Sequence, residues 1–326
     1  MKPNAWGGLV RDPIVLRHLE ERFGASHIWS ASQLEQYGRR PFDYFLDRVL
    51  GVRASEEVED TTSPASRGSL AHTILERFFR RLEGATPETL TDEALDLFER
   101  VAVEALDEAE AAEGQWLGEP ALWRVTREQI VESLRAFLER ELPRLAKDGS
   151  WPVRLEFAFG EDEGDRFELQ GTDLRGREQR MRVRGRIDRV DAKPGKEGAE
   201  LRVLDYKWGG YPRAAGYRDG SVLQTAIYLR AASRLPGIDG RVTWGAYRPI
   251  TKPTASGARL AADDVDSVLA FALSIPERVR NGWFEPVLAA SQSLGAWEVG
   301  REVTRTSAQF AEGHRFEPSE NGPNDA

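Results

Sequence analysis

The hydrophobic pattern changes period once along the chain, near residue 150. Before that point apolar residues recur every three or four positions, the spacing of an amphipathic helix. Residues 1–28 read as an irregular entry followed by a short helix. Ser30-Ala31-Ser32-Gln33-Leu34 then opens a helix that either Ser30 or Ser32 can cap, by accepting a hydrogen bond from an unpaired backbone N–H. Pro41 starts a further turn, with Phe42, Phe45, Leu46 and Val49 on one stripe. Residues 54–66 are polar and read as a loop. Gly68 leads into LAHTILERFFRRL, where Leu70, Ile74, Leu75, Phe78, Phe79 and Leu82 cover one broad face and His72 sits at its border. Residues 88–147 read as acidic helices broken near Gly114–Pro120, the last burying Leu134, Phe137, Leu138 and Leu142.

From Trp151 the period is two, the alternation of a strand. WPVRLEFAFG puts Val153, Leu155, Phe157 and Phe159 on one side and Arg154 and Glu156 on the other. RFELQG is a second strand. MRVRGRIDRVD sets Met181, Val183 and Ile187 against Arg182, Arg184, Arg186 and Asp188. The loop AKPGKEGAE turns the chain back as LRVLDYK, with Leu201, Val203, Asp205 and Lys207 on one face. The hairpin brings Asp188 roughly opposite Asp205. SVLQTAIYLRAAS is a helix with Gln224 and Tyr228 one turn apart. VTWGAYRPI is a further strand, and a helix over 263–280 begins with acidic residues suited to its N-terminus. The expected organisation is a helical region at 1–150, an α/β core at 151–290 and a C-terminal segment at 291–326 ending in a disordered tail. Residues 1–290 are expected to form one compact domain. There are no internal repeats.

Composition narrows the chemistry. The 326 residues include no cysteine, which excludes disulfides, thiol catalysis, thiolate zinc sites and cysteine-ligated iron–sulfur clusters. With four histidines (His18, His27, His72 and His314), a metal site must rest mainly on carboxylate oxygen, which favours Mg²⁺ or Mn²⁺. The net charge of −9 does not mark a general nucleic-acid binder. Residues 175–193 nevertheless carry Arg175, Arg177, Arg180, Arg182, Arg184, Arg186, Arg189 and Lys193 against Glu178, Asp188 and Asp191. Such a strip can attract a phosphate backbone or be a solvated sheet face. No apolar run approaches a membrane span, and MKPNAWGGLVRDP lacks a signal-peptide core, so a cytoplasmic location without membrane contact is expected.

Two carboxylates and a lysine on adjacent strands suit phosphodiester hydrolysis. The substrate is anionic and its leaving alkoxide is poor. A carboxylate-held divalent cation neutralises charge, activates water and assists the leaving oxygen. Asp188 and Asp205 are the expected oxygen ligands, with the Tyr206 backbone carbonyl completing the set. Lys207 lies two residues from Asp205 and so points the same way, to orient water and stabilise negative charge. Glu156 on a neighbouring strand assists or holds a second metal. Alone, D-x-K is a common tripeptide, and Asp188 can be read as a surface partner of Arg184 or Arg186. Strand-Asp, hairpin, D-Y-K and a helix bearing Q-x-x-x-Y together are far more specific.

GRIDRVD, LDYKWG and LQTAIYL together resemble the core of the PD-(D/E)XK nuclease superfamily in its RecB-type branch. RGSLAHTILERFF resembles the upstream motif of that branch, whose histidine joins the metal site, which makes His72 a ligand supplied by the N-terminal helical region. WSASQLEQYGRRPFDYFLDRVLGV is similar to the opening of the C-terminal nuclease domain of AddB-type helicase–nuclease subunits. The resemblance spans about residues 28–290. It implies a restriction-endonuclease-like α/β fold, a mixed central sheet flanked by helices in the order αβββαβ, here with a large N-terminal helical layer. It implies a metal-dependent DNA nuclease, acting as an exonuclease on single-stranded ends in repair or recombination, with a helicase subunit as possible partner. Gln224 and Tyr228 would organise the site or contact DNA, as would Arg184, Arg186 and Arg189. Trp208 and Tyr211 are candidates for stacking on bases or for the core.

Two departures are informative. Many relatives carry a cysteine before the Pro-Phe pair and three more near the C-terminus, for an iron–sulfur cluster; here Arg40 precedes Pro41 and no cluster is possible. Ile187 replaces the usual proline before the first aspartate. No glycine-rich loop ending in Lys-Ser/Thr is present, so ATP hydrolysis by that route is not expected. The alternative reading from another class is a non-catalytic DNA-binding or scaffolding subunit. A third is a bland α/β protein with a charged sheet face, which requires His72 to lie far from both aspartates.

Overall fold

The computed structural model describes residues 8–52, 60–82, 92–112, 116–161, 166–196, 198–236, 240–252 and 258–286. The tail expected at 291–326 and part of the polar loop at 54–66 lie outside them. Nine α-helices occur among the described residues. They are α1 (Pro13–Phe23), α2 (Ala31–Arg39), α3 (Pro41–Tyr44), α4 (Pro64–Arg81), α5 (Asp92–Ala111), α6 (Pro120–Asp148), α7 (Ala215–Asp219), α8 (Gln224–Ala232) and α9 (Val265–Arg280). The strands are β1 (Ile28–Ser30), β2 (Trp151–Phe159), β3 (Glu168–Thr172), β4 (Glu178–Lys193), β5 (Ala199–Lys207), β6 (Gly240–Pro249) and β7 (Arg259–Ala261). All seven strands belong to one mixed sheet.

β4 is its axis. This strand pairs in parallel with β1 and antiparallel with β2, β3 and β5. β5 pairs in parallel with β6, which requires a crossover, and α8 supplies it. The order strand, strand, strand, helix, strand is met by β2, β4, β5, α8 and β6, with β3 added on β4. This is the restriction-endonuclease-like α/β fold, with α4, α5 and α6 as the additional helical layer.

Two apolar cores lie on the two faces of the sheet. One joins α1, α2, α8 and α9 to Val183, Ile187, Leu201 and Val203; the other joins α4, α5 and α6 to Tyr206 and Ile250. Each fully buried Leu or Phe contributes roughly 1.5–3 kcal/mol, so the helical layer is held by its own packing as well as by the sheet. Gly185 keeps the first core closed: a Cβ there would lie 2.8 Å from the Phe159 ring and 2.9 Å from the Tyr228 ring.

Local chemistry explains most boundaries. Ser30, rather than Ser32, caps α2: its hydroxyl accepts from the Gln33 N–H (3.2 Å) while the Gln33 side chain accepts from the Ser30 N–H (3.1 Å). α4 starts four residues before Gly68, because Ser63 caps it and Pro64 presets φ at its first position. After α3 the chain widens into a π-helical turn, Phe45–Val49, with Leu50 N–H donating to the Phe45 carbonyl. This turn makes Tyr44 the buried residue, and Phe42, Phe45, Leu46 and Val49 are only half-buried.

One predicted face is wrong. Leu155 packs into the helical-layer core, whereas Phe157 and Phe159 pack into the opposite one. Leu155 is flanked by two breaks in the alternation: a register shift between Pro152 and Arg154, and Glu156 at φ 46°, among the described residues the one non-glycine with positive φ. Left-handed backbone costs an L-residue roughly 1–2 kcal/mol and breaks the alternation.

Candidate active site

The β4–β5 hairpin builds the floor. Its register pairs Arg189 with Leu204, so Asp188 and Asp205 are the next residues to face each other. The Tyr206 N–H donates to Asp188 Oδ2 at 2.6 Å, which fixes that carboxylate across the strands. On the other side of β4, the pairs Leu155–Arg189 and Phe157–Ile187 bracket Glu156 and Asp188. The strained φ of Glu156 therefore falls beside the first aspartate.

α4 completes the cluster from the helical layer. His72 Nδ1 lies 3.5 Å from Asp188 Oδ1 and 3.6 Å from Glu156 Oε1. Its Nε2 lies 3.2 Å from the Tyr206 carbonyl. With Nε2–H donated to that carbonyl, Nδ1 faces the two carboxylates. One ligand atom each from His72, Glu156 and Asp188 falls within 4.8 Å of the others. His72 and the aspartates are thus neighbours, contrary to the bland reading.

A polar chain runs along the other flank. Lys207 Nζ pairs with Asp205 Oδ2 at 2.5 Å and donates to Gln224 Oε1 at 3.3 Å; Gln224 Nε2 donates to Tyr228 Oη at 3.0 Å. One residue in this chain is not evident from the sequence. Buried Glu35, from α2, accepts the backbone N–H groups of Leu223 and Gln224 at 2.8 Å each and pairs with Arg39. It caps α8 and so places Gln224. A carboxylate between the apolar positions Leu34 and Tyr37 was the available signal, but its target lies 188 residues away.

The electrostatics are unbalanced. Burial, then the charge of Asp205, raises Asp188 well above the usual carboxylate range. Burial also raises Asp205, against the opposing pull of Lys207. Burial lowers His72, but Glu156, Asp188 and Asp205 more than reverse this and carry it to about 9. Burial lowers Lys207 and its pairing with Asp205 reverses that, so it stays protonated. Three acids thus share one lysine and one histidine. A hard, oxygen-seeking divalent cation fits this donor set, because it can replace the protons that Asp188 and His72 otherwise hold.

Other expectations sort by burial. Arg189 does not belong to a DNA-contact strip: it is 0% exposed and points to the opposite side of the sheet. There its Nε donates to Asp191 Oδ1 at 2.7 Å, Nη1 to Tyr206 Oη at 2.9 Å and Nη2 to Glu141 Oε1 at 2.5 Å. Arg184 and Arg186 are exposed, the latter 3.9 Å from Glu161. Arg177 pairs with Asp173 and Glu277, and Lys193 with Asp148, so the strip is partly neutralised. The Tyr206 carbonyl is engaged by His72 Nε2, and Asp205 reaches the cluster through Lys207 and lies outside the group formed by His72, Glu156 and Asp188. Trp208 and Tyr211 are half-buried against the two cores.

The family model for the PD-(D/E)XK nuclease superfamily matches residues 28–312. Curated relatives are named as one subunit of an ATP-dependent helicase/deoxyribonuclease. The relative from Symbiobacterium thermophilum is 35% identical over 246 residues, 71% of this chain and 20% of its own length. The relative from Lacticaseibacillus casei is 30% identical over 263 residues, 74% of this chain and 20% of its own. The chain spans about a fifth of the length of these relatives. Among the described residues, no helix is long and apolar enough to cross a membrane.

Proposed function

The chain belongs to the PD-(D/E)XK nuclease superfamily, and from that footing we propose that it hydrolyses phosphodiester bonds of DNA with Mg²⁺ or Mn²⁺. The observation that carries this reading is the approach of His72 from α4 to Glu156 and Asp188, beside Asp205 and Lys207, with acids in excess. Nucleases of this superfamily use divalent metals, and this chain's lack of cysteine leaves no room for a cysteine-ligated iron–sulfur cluster.

Asp188, Asp205 and His72 would hold the cation, with Glu156 as a fourth donor. When bound, the cation supplies charge neutralisation and water activation. Lys207 orients the attacking water and stabilises the negative charge that develops on the phosphate. Gln224 holds the lysine, and Tyr228 holds Gln224. The Tyr206 carbonyl orients His72 and is a further oxygen donor beside the cation. Arg184 and Arg186 contact phosphates. Attack by water breaks one P–O bond, and the leaving oxygen takes a proton.

The relatives' name contains both a helicase and a deoxyribonuclease. It supports a helicase partner for this chain. The reading we put forward adds exonuclease action on single-stranded ends and a role in repair or recombination. The reading further includes a cytoplasmic setting and one compact unit over 1–290, since α4 packs on β2 and α2 on α8. The test is a fluorescent single-strand digestion assay with and without Mg²⁺. Asp205→Ala is expected to abolish cleavage while preserving the fold. Cleavage at the wild-type rate by that variant sinks the assignment. DNA binding without turnover by the wild type favours a scaffolding role.

A further inference from the structure

Behind the candidate site lies a second charged cluster that the proposed chemistry does not use. Arg189 follows Asp188 directly in β4. Its side chain crosses to the helical-layer side and is 0% exposed. The guanidinium lies 5.0 Å from the centre of the Phe79 ring and 5.8 Å from that of Tyr206. All three of its nitrogens are engaged, by Asp191, Tyr206 and Glu141.

Of these partners Tyr206 is tied directly to the site, and Glu141 and the Phe79 ring bring in the helices. Tyr206 stands between Asp205 and Lys207; its N–H holds Asp188 and its carbonyl meets His72. Phe79 lies two turns from His72 on α4. Glu141 brings in α6, and it also accepts from both Arg144 Nε (2.8 Å) and Arg144 Nη2 (2.7 Å). A single planar cation thus touches β4, β5, α4 and α6, three of which carry candidate ligands. Buried ion pairs are poor sources of stability, since desolvation offsets their attraction. A fixed fork with several donors is instead well suited to setting geometry.

We propose that Arg189 is a positioning residue for the metal ligands. It locks the backs of β4, β5 and α4 so that Asp188, Asp205 and His72 keep the spacing a divalent cation requires. It acts through the Tyr206 hydroxyl and the Phe79 ring and touches neither metal nor DNA. This inference rests on the metal-site reading above.

The test compares Arg189→Lys and Tyr206→Phe with Ile130→Val, a variant in the same apolar core away from the charges. Mn²⁺ affinity is read by titration calorimetry and stability by thermal unfolding in EDTA. Lysine keeps the charge but cannot reach three partners, and phenylalanine removes only the hydroxyl contact. Both are expected to weaken Mn²⁺ binding roughly 10-fold, the size of effect seen when the supports of metal ligands are removed. Ile130→Val is expected to lower the melting temperature and leave Mn²⁺ affinity unchanged. If Arg189→Lys and Tyr206→Phe melt earlier yet bind Mn²⁺ as tightly as wild type, Arg189 is merely structural and the inference is overturned. Should Arg189→Lys not fold, Tyr206→Phe alone decides. A wild type that binds no Mn²⁺ removes the proposed function as well, which separates that failure from this one.

Discussion

Two buried charge clusters stand back to back on β4 and β5. They differ in what they leave unsatisfied. On the rear, Arg189, Arg144 and Arg248 surround Glu141 and Asp191. Burial there would raise Glu141, but Arg189 and its neighbours overcome this and hold it far below the usual range. On the front, Asp188 and Asp205 are raised instead, and His72 is drawn upward with them. The rear carboxylates are neutralised by the protein alone, and what the rear leaves over is cationic: the buried Arg248 Nε has no hydrogen-bond partner among the described residues. The front is closed only when protons or a cation are added. Adjacent residues of one strand, Asp188 and Arg189, thus serve opposite ends, and burial alone does not distinguish a structural ion cluster from a reactive one.

The largest expected effect breaks the rear. Glu141→Leu leaves Arg189, Arg144 and Arg248 short of a carboxylate, and should cost about 3–5 kcal/mol of stability, measured by urea unfolding. The front should respond with the opposite sign. Asp188→Asn removes a carboxylate that burial opposes while keeping an acceptor for the Tyr206 N–H. Metal-free stability is expected to rise by on the order of 1 kcal/mol, and cleavage to be lost, a trade-off of stability against activity. If Asp188→Asn is instead strongly destabilised in EDTA, the front cluster is as well balanced as the rear.

The pH dependence sharpens the contrast. His72 binds its proton more tightly when folded, with a value near 9 against 6.5 for the free side chain. A raised histidine contributes stability that is complete below pH 6.5 and is lost as pH rises through about 9. The raised carboxyl of Asp188 acts in the same direction from lower pH. Melting temperatures in EDTA should therefore fall between pH 6.5 and 9, and His72→Gln should flatten that fall. Saturating Mg²⁺ should flatten it too, because metal then takes the place of the protons. The smallest effect concerns strain. Glu156→Gly relieves the left-handed backbone and loses a donor, so metal-free stability should change by less than about 1 kcal/mol while Mn²⁺ affinity falls.

Much of this organisation can be read from residue order. Period-two runs locate β2 to β6, since alternation is written locally. The pairing of Asp188 with Asp205 follows from a single hairpin. The three-residue strands β1 and β7 and the five-residue α7 are too short to carry a period, and their partners are remote. Leu155 is misplaced because neither the register shift at Pro152–Arg154 nor the backbone dihedral at Glu156 leaves a trace in hydrophobicity. Arg189 reads as part of a basic strip because neither its burial nor its second acid, Glu141, 48 residues upstream on a helix, leaves a mark within the strip. Motif residues were readable; the tertiary partners that hold them were not.

The bond between Glu35 and α8 has a consequence in time. Its donors, Leu223 and Gln224, lie 188 and 189 residues downstream of the carboxylate. At about 5–20 residues per second, a ribosome delivers the two partners roughly 10–40 s apart. Until the later partner arrives, Glu35 lacks these two donors, Lys207 has no amide to hold it, and β6 has yet to join β5.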